Sequence, residues 1–163
     1  MEITIIIICL ILCAFFSGME IAFISSNKIY LEIEKKQDNF LSQILTKVTE
    51  KPSQFIATML IGNNVALVIY GFFMGELLMR WITTLGYEFS NIANLLIQTV
   101  LSAFLVLMTS EFLPKVFFQI YANTFIKFFA IPAYFFYLLF YGFSSFMWLV
   151  RSVTKMKKLG DYY

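Results

Sequence analysis

The chain has 163 residues, of which 60% are hydrophobic and only 13% charged, with 20 Phe, 9 Tyr and no His. A soluble domain averages roughly 45–50% apolar and about 25% charged residues, so this composition belongs to the membrane class, and the length suits a single bundle. The net charge of +2 is too small to argue for nucleic acid. The lack of His removes the usual proton shuttle, a Ser-His-Asp triad and the commonest transition-metal ligand.

In chain order, the first element is an apolar run from Ile3 to about Ser26, long enough to cross a bilayer at about 1.5 Å per residue. It has neither a basic n-region nor a small-residue cleavage site, and so reads as a retained signal-anchor span. Cys9 and Cys13 lie one helical turn apart inside it and read as small lipid- or core-facing thiols. Residues 27–52 then alternate apolar side chains with Lys and Glu, which predicts at least one short amphipathic helix, about 28–50, lying along the membrane surface.

Pro52 opens a second span, about 53–79, since proline is tolerated in a helix's first turn. Within it, Gly71-x-x-x-Gly75 forms a small-residue face suited to helix packing, a candidate dimer contact. Residues 81–91 turn the chain, and a third span runs over about 92–113 until Pro114 and Lys115 interrupt it. The stretch 116–150 is again apolar. Hydropathy alone would make 128–150 a fourth span, but that would export Arg151, Lys155, Lys157 and Lys158, against the positive-inside rule. Eleven of those 23 residues are aromatic, a headgroup-level preference, so short helices at the inner leaflet are expected.

The expected fold is therefore an all-α membrane protein with three transmembrane helices per subunit and amphipathic juxtamembrane helices. Lys28, Lys35, Lys36, Lys47 and Lys51 place the 27–52 loop in the cytoplasm and the N-terminus outside, and three crossings leave Lys115, Lys127 and the C-terminus on the cytoplasmic side of what is expected to be a bacterial-type inner (plasma) membrane.

Three stretches put polar groups at membrane depth: S-G-M-E at 17–20 with Ser25 and Ser26, L-I-G-N-N at 60–64, and T-S-E-F-L-P-K at 109–115. Helical rise puts Asn63 roughly 15 Å in from the cytoplasmic side, Ser17 about 21 Å in from outside, and Glu111 about 30 Å along the third span. All three clusters fall between the midplane and the cytoplasmic surface. Their donors are hydroxyls, an amide carbonyl and carboxylates, the ligand type of hard cations such as Mg²⁺ or Na⁺. Pro114 cannot donate a hydrogen bond and frees the carbonyl near Ser110, where an unwound or π-type turn would add a backbone ligand. Singly, such groups also serve as helix glue, Glu111 as an interfacial ion-pair partner of Lys115, and Glu20 as a local cap or pair.

At these three places the sequence resembles the CorC/CNNM (cyclin M) magnesium transporter family. Its F-S-G-x-E-x-A-x-x-S signature reads F-S-G-M-E-I-A-F-I-S at 16–25, its G-N-N signature falls at 62–64, and its G-E-x-x-P-K signature reads S-E-F-L-P-K at 110–115. The resemblance covers almost the whole chain. It implies a homodimer in the lipid bilayer and a dehydrated Mg²⁺ held by Ser17, Asn63, a backbone carbonyl at or near Ser110, and Glu111. Glu20, Ser25 and Asn64 stand as secondary cation or helix-packing groups. The family also implies Mg²⁺ export coupled to inward Na⁺, and a cytosolic pair of nucleotide-binding CBS modules beyond Tyr163. Two departures bear on ion preference: Ser110 replaces a glycine, and Leu67 stands where bacterial relatives often carry an Asn. The rival reading is a Mg²⁺-sensing or scaffolding protein that moves no ion. An enzyme is not expected, since Asp38 and Asp161 lie in polar flanks, outside any span.

Overall fold

A computed structural model describes residues 1–37, 39–84 and 91–142. The turn expected within 81–91 and the segment 143–163, with its basic tail, fall wholly or largely outside the described residues. All the regular structure described is helical: α1 (Glu2–Ser25), α2 (Lys28–Lys35), α3 (Phe40–Glu50), α4 (Pro52–Thr84), α5 (Asn91–Val106), a π turn (Leu107–Phe112), α6 (Leu113–Ile120) and α7 (Ala122–Phe128). A last helix, α8, covers Ala130–Gly142. Three helices are long and apolar enough to cross a membrane: α1, α4, and the continuous run Ile92–Ile120 formed by α5, the π turn and α6.

The third run differs from expectation in one respect. Proline does not end it; the helix continues through Pro114 to Ile120, because the π turn just before takes up the backbone change that proline imposes. Helices α7 and α8 meet at a 66° bend and together are apolar enough to form one broken span, so the described residues hold three candidate crossings, or four if this bent pair is one.

The 27–52 loop forms two short helices, each started by an asparagine. Asn27 Oδ1 accepts from the Ile29 and Tyr30 amides at 2.8 and 3.4 Å, and Asn39 Oδ1 from the Ser42 amide at 2.8 Å. Side-chain caps of this kind satisfy amides that the first helical turn leaves without partners. Both helices are amphipathic: Leu31, Ile44, Leu45 and Val48 are buried, whereas Ile29, Ile33 and Phe40 remain exposed.

Helix α1 is the hub, packing against α4, the π turn, α6 and α7. Its buried positions Ile6, Cys9, Cys13 and Phe16 recur at intervals of three to four, one stripe of a 3.6-residue helix, and from Phe16 to Met19 four consecutive residues are buried, where the helix is enclosed on more than one side. Two apolar cores lie along this hub. One joins Ile6 and Cys9 of α1 to Tyr70 and Met74 of α4 and Val106 of α5. The other joins Phe16 and Met19 of α1 to Phe55 and Met59 of α4, to α3, and to Ile126, Ala130 and Tyr137 of α7 and α8. Outward-facing Ile7, Ile11, Val68, Phe72, Leu96, Val100 and Phe104 stay exposed, as a surface solvated by lipid requires.

Long-range polar ties hold the ends. Arg80 donates to Glu2, binding the end of α4 to the start of α1, and Tyr70 donates its hydroxyl to the Ser102 carbonyl at 3.1 Å. At the opposite end, Lys127 of α7 donates to buried Glu34 of α2 at 2.9 Å, and the Asn27 amide donates to Asn123 Oδ1 at 2.9 Å. The Lys127 ammonium holds the Glu34 carboxyl below its ordinary value of 4.5, a hydrogen bond from Tyr30 and the lysine's charge acting in the same direction. A depressed carboxylate contributes stability above its unfolded value and loses it as pH falls. Thermal melts near neutral pH should therefore find Glu34→Gln less stable than wild type, with the gap closing below about pH 4.5. A gap independent of pH would show that the ion pair contributes nothing.

Candidate cation site

Between the two apolar cores lies a short polar layer. On α4 the residues separating Met59 from Tyr70 include Gly62, Asn63 and Ala66; on α1, Cys13 separates Cys9 from Phe16, and Ser17, one turn beyond Cys13, lies at the near edge of the second core, between Phe16 and Met19. Ser17 is 1% exposed, Asn63 8% and Ser110 1%. Ser17 Oγ and Asn63 Oδ1 are buried without a hydrogen-bond partner. Each such orphan costs about 1–3 kcal/mol, so two in one layer are retained at a substantial expense in stability. Native proteins keep unpaired buried polar atoms where something else satisfies them, and an ion is one such partner.

Ser110 sits in the π turn that the sequence led one to expect. The Leu113 amide reaches back five residues to the Met108 carbonyl, and Pro114 has no amide to give the Ser110 carbonyl four residues earlier. Single π turns inside α-helices recur at functional sites because they redirect carbonyls away from the helical ladder. The Ser110 hydroxyl lies 3.4 Å from the Thr109 hydroxyl, which itself donates to the Leu105 carbonyl at 2.6 Å.

Cys13 links the α1 and α4 walls. It is fully buried, one turn from Ser17 on the same face of α1, and its thiol lies 4.0 Å from the Asn63 carbonyl oxygen. Glu111 is half-buried and pairs at 3.5 Å with Lys115, one turn along, as the ion-pair alternative anticipated. That separation is long for a charge-assisted bond, which favours about 2.7–2.9 Å.

The secondary candidates are not drawn into this layer. Asn64 and Ser25 are exposed, and Glu20 is half-buried at the α1 end bearing Ser26, whose hydroxyl caps the Phe23 carbonyl at 2.9 Å. Gly71 has open space where a Cβ would stand, while a Cβ on Gly75 would run into Gln98 of α5 in the same subunit. Gly75 therefore already serves packing within the chain.

Sequence reasoning read Cys13 as a lipid- or core-facing thiol, and it is buried in the core; what it missed was the thiol's contact with the Asn63 carbonyl and two aromatic contacts. A Cβ on Gly18 would lie 2.6 Å from the Phe118 ring, and one on Gly62 would lie 2.7 Å from the Phe16 ring. The i, i+4 spacing of Cys13 and Ser17 was a readable signal for the first; nothing local announces the others.

The family described as the cyclin M transmembrane N-terminal domain (CNNM) matches residues 4–161. The chain belongs to this family. Among curated relatives, it is 33% identical over 111 residues to a UPF0053 protein of Haemophilus influenzae, covering 68% of this chain and 24% of that protein. It is 31% identical over 102 residues to the UPF0053 inner membrane protein YfjD of Escherichia coli K12, covering 63% of this chain and 22% of that protein. The chain thus spans less than a quarter of the length of these relatives. As a CNNM membrane domain, it carries the family's three polar stretches on three different apolar helices.

Proposed function

We propose that this chain is the membrane-embedded part of a Mg²⁺ exporter, with Ser17, Asn63, the Ser110 carbonyl and Glu111 as the ion's ligands. The observation that supports the reading is that Ser17 Oγ on α1 and Asn63 Oδ1 on α4 are buried without partners, while the π turn bearing Ser110 packs against α1. An all-oxygen donor set with one carboxylate suits a small hard dication. A carbonyl turned out of the helical ladder supplies an oxygen without the rotamer freedom of a side chain. Family membership supports Mg²⁺ as the cargo, a homodimeric assembly and a cytosolic CBS-type region in the full-length protein.

In this reading the lysine-bearing α2–α3 side faces the cytoplasm, following the excess of Lys over residues 27–52. Mg²⁺ exchanges part of its water shell for the protein oxygens at that side. The three helices then rearrange around the ion to release it outside, driven by inward Na⁺. Lys115 holds the Glu111 carboxylate between transport events, and the incoming dication displaces it.

Reconstituted protein with a Mg²⁺-sensitive dye tests this directly. Mg²⁺ flux that needs an opposing Na⁺ gradient and disappears in Asn63→Ala is the expected result. Binding without flux under every gradient would favour the sensing or scaffolding role instead, and flux indifferent to Na⁺ would remove the coupling.

A further inference from the structure

Ser17 Oγ and Asn63 Oδ1, both buried without a hydrogen-bond partner, each have a glycine as chain neighbour, Gly18 after Ser17 and Gly62 before Asn63, and each glycine is covered by the face or edge of a phenylalanine ring. Phe118 of α6 sits on Gly18, with its Cγ, Cδ2 and Cδ1 atoms 2.6, 2.7 and 2.8 Å from where a Cβ would stand. Phe16 of α1 sits on Gly62, with Cε1 and Cζ both 2.7 Å from the corresponding point. No larger residue fits at either glycine unless the ring moves. The separation of α1 from α6, and of α4 from α1, is thus set by ring thickness at the two points where the oxygens leave their helices.

Neither ring is free to adjust. Phe118 stacks on Phe125 of α7, with centroids 4.4 Å apart and planes 20° apart, and on Phe129 at 5.6 Å and 18°. Phe16 meets Phe136 of α8 edge-on at 4.8 Å and Phe15 at 5.4 Å. Offset and edge-to-face pairs of this kind add about 0.5–1.5 kcal/mol each beyond burial, so the rings are held by α7 and α8 and not by the site itself.

The geometry points to Phe118 and Phe16 as positioning residues for the cation site, wedges that transmit the placement of α7 and α8 to Ser17 and Asn63. Neither ring touches the ion. Their role rests on the ligand assignment proposed above, and follows from the tolerance of about 0.5 Å that a preorganised site requires. Pulling Phe118 away from Gly18 would let α1 relax toward α6 and shift Ser17 with it.

The test measures Mg²⁺ affinity by calorimetry and the ion-free thermal midpoint of the same samples. Phe118→Ala should weaken Mg²⁺ binding about 10–100-fold, the usual cost of losing a group that orients metal ligands. Gly18→Ala should weaken it similarly, by forcing the ring outward. The double variant Gly18→Ala/Phe118→Leu, which exchanges ring for methyl, should bind more tightly than Gly18→Ala alone. Phe118→Tyr, which keeps a ring in place, should recover the affinity that Phe118→Ala loses. Phe118→Ala that melts earlier but binds Mg²⁺ as wild type does would overturn the positioning role, and so would strict additivity in the double variant. Asn63→Ala separates the two ideas: if it abolishes binding while Phe118→Ala does not, the site stands and the wedge falls. If Asn63→Ala leaves binding intact, both fall together.

Discussion

Ser17→Ala and Asn63→Ala should make the ion-free protein more stable and at the same time remove its Mg²⁺ binding. Most substitutions of buried residues destabilise, so the sign is diagnostic. Both side chains bury an oxygen with no partner, and removing such a group recovers about 1–3 kcal/mol of desolvation. For Ser17→Ala the change is one atom, with no cavity to offset the gain. For Asn63→Ala a small void at an 8%-exposed position subtracts part of it. Supporting groups around metal sites already cost about 10–100-fold in affinity when lost, so a direct ligand should cost at least the upper end of that range. Ion-free melting paired with a Mg²⁺ titration reads both quantities. Destabilisation with unchanged Mg²⁺ binding would make the two side chains ordinary helix contacts.

The second large effect is expected at Pro114. Restoring the amide, as in Pro114→Ala, gives the Ser110 carbonyl an ordinary i+4 donor and lets the π turn over Leu107–Phe112 close into α-helix. Proline inside a helix costs about 3 kcal/mol relative to alanine, so the variant should fold well and melt later than wild type. It should nonetheless lose Mg²⁺ affinity by at least about tenfold, because the carbonyl returns to the helical ladder and Glu111 rotates with the shortened register. Hydrogen exchange at residues 110–116 would show the new helical amide bonds as added protection. A Pro114→Ala protein with wild-type Mg²⁺ affinity would mean the π turn is incidental to the ion.

The parts of this architecture that sequence makes legible are those with local causes. The three spans follow from apolar length, the amphipathic character of 28–50 from its alternation of apolar and charged residues, and the π turn from the missing amide of Pro114; the Asn27 and Asn39 caps that split that segment into α2 and α3 went unread. The candidate ligands were found the same way, because Ser17, Asn63 and Ser110 are polar residues in otherwise apolar runs, and all three prove to be buried. What else escaped was tertiary. Phe118 meets Gly18 across a hundred residues, Cys13 meets the Asn63 carbonyl across fifty, and Lys127 meets Glu34 across ninety-three. In a chain with 20 phenylalanines, no periodicity distinguishes the ring that packs on a glycine from the ring that faces lipid. The same limit applied to Gly75, whose small-residue spacing suggested a partner subunit and whose neighbour is Gln98 of its own chain. Asn64 and Ser25 are polar residues in apolar runs as well, yet they are exposed, because polarity in the sequence does not say which side of the helix a residue occupies.

Helix α4 carries a further implication. Its 33 residues extend about 50 Å, against a hydrocarbon thickness of about 30 Å. A helix of that length must either lean or stand clear of the lipid at one end. Its neighbour α1 has 24 residues and is fastened to it near the far end through Glu2 and Arg80, so the two cannot lean independently. Any inclination is shared by the pair and carries the height of Asn63 relative to the lipid surface with it. Where the excess length is taken up by leaning, membrane thickness is a mechanical input: a thinner bilayer tips the joined helices further over, and a thicker one stands them upright.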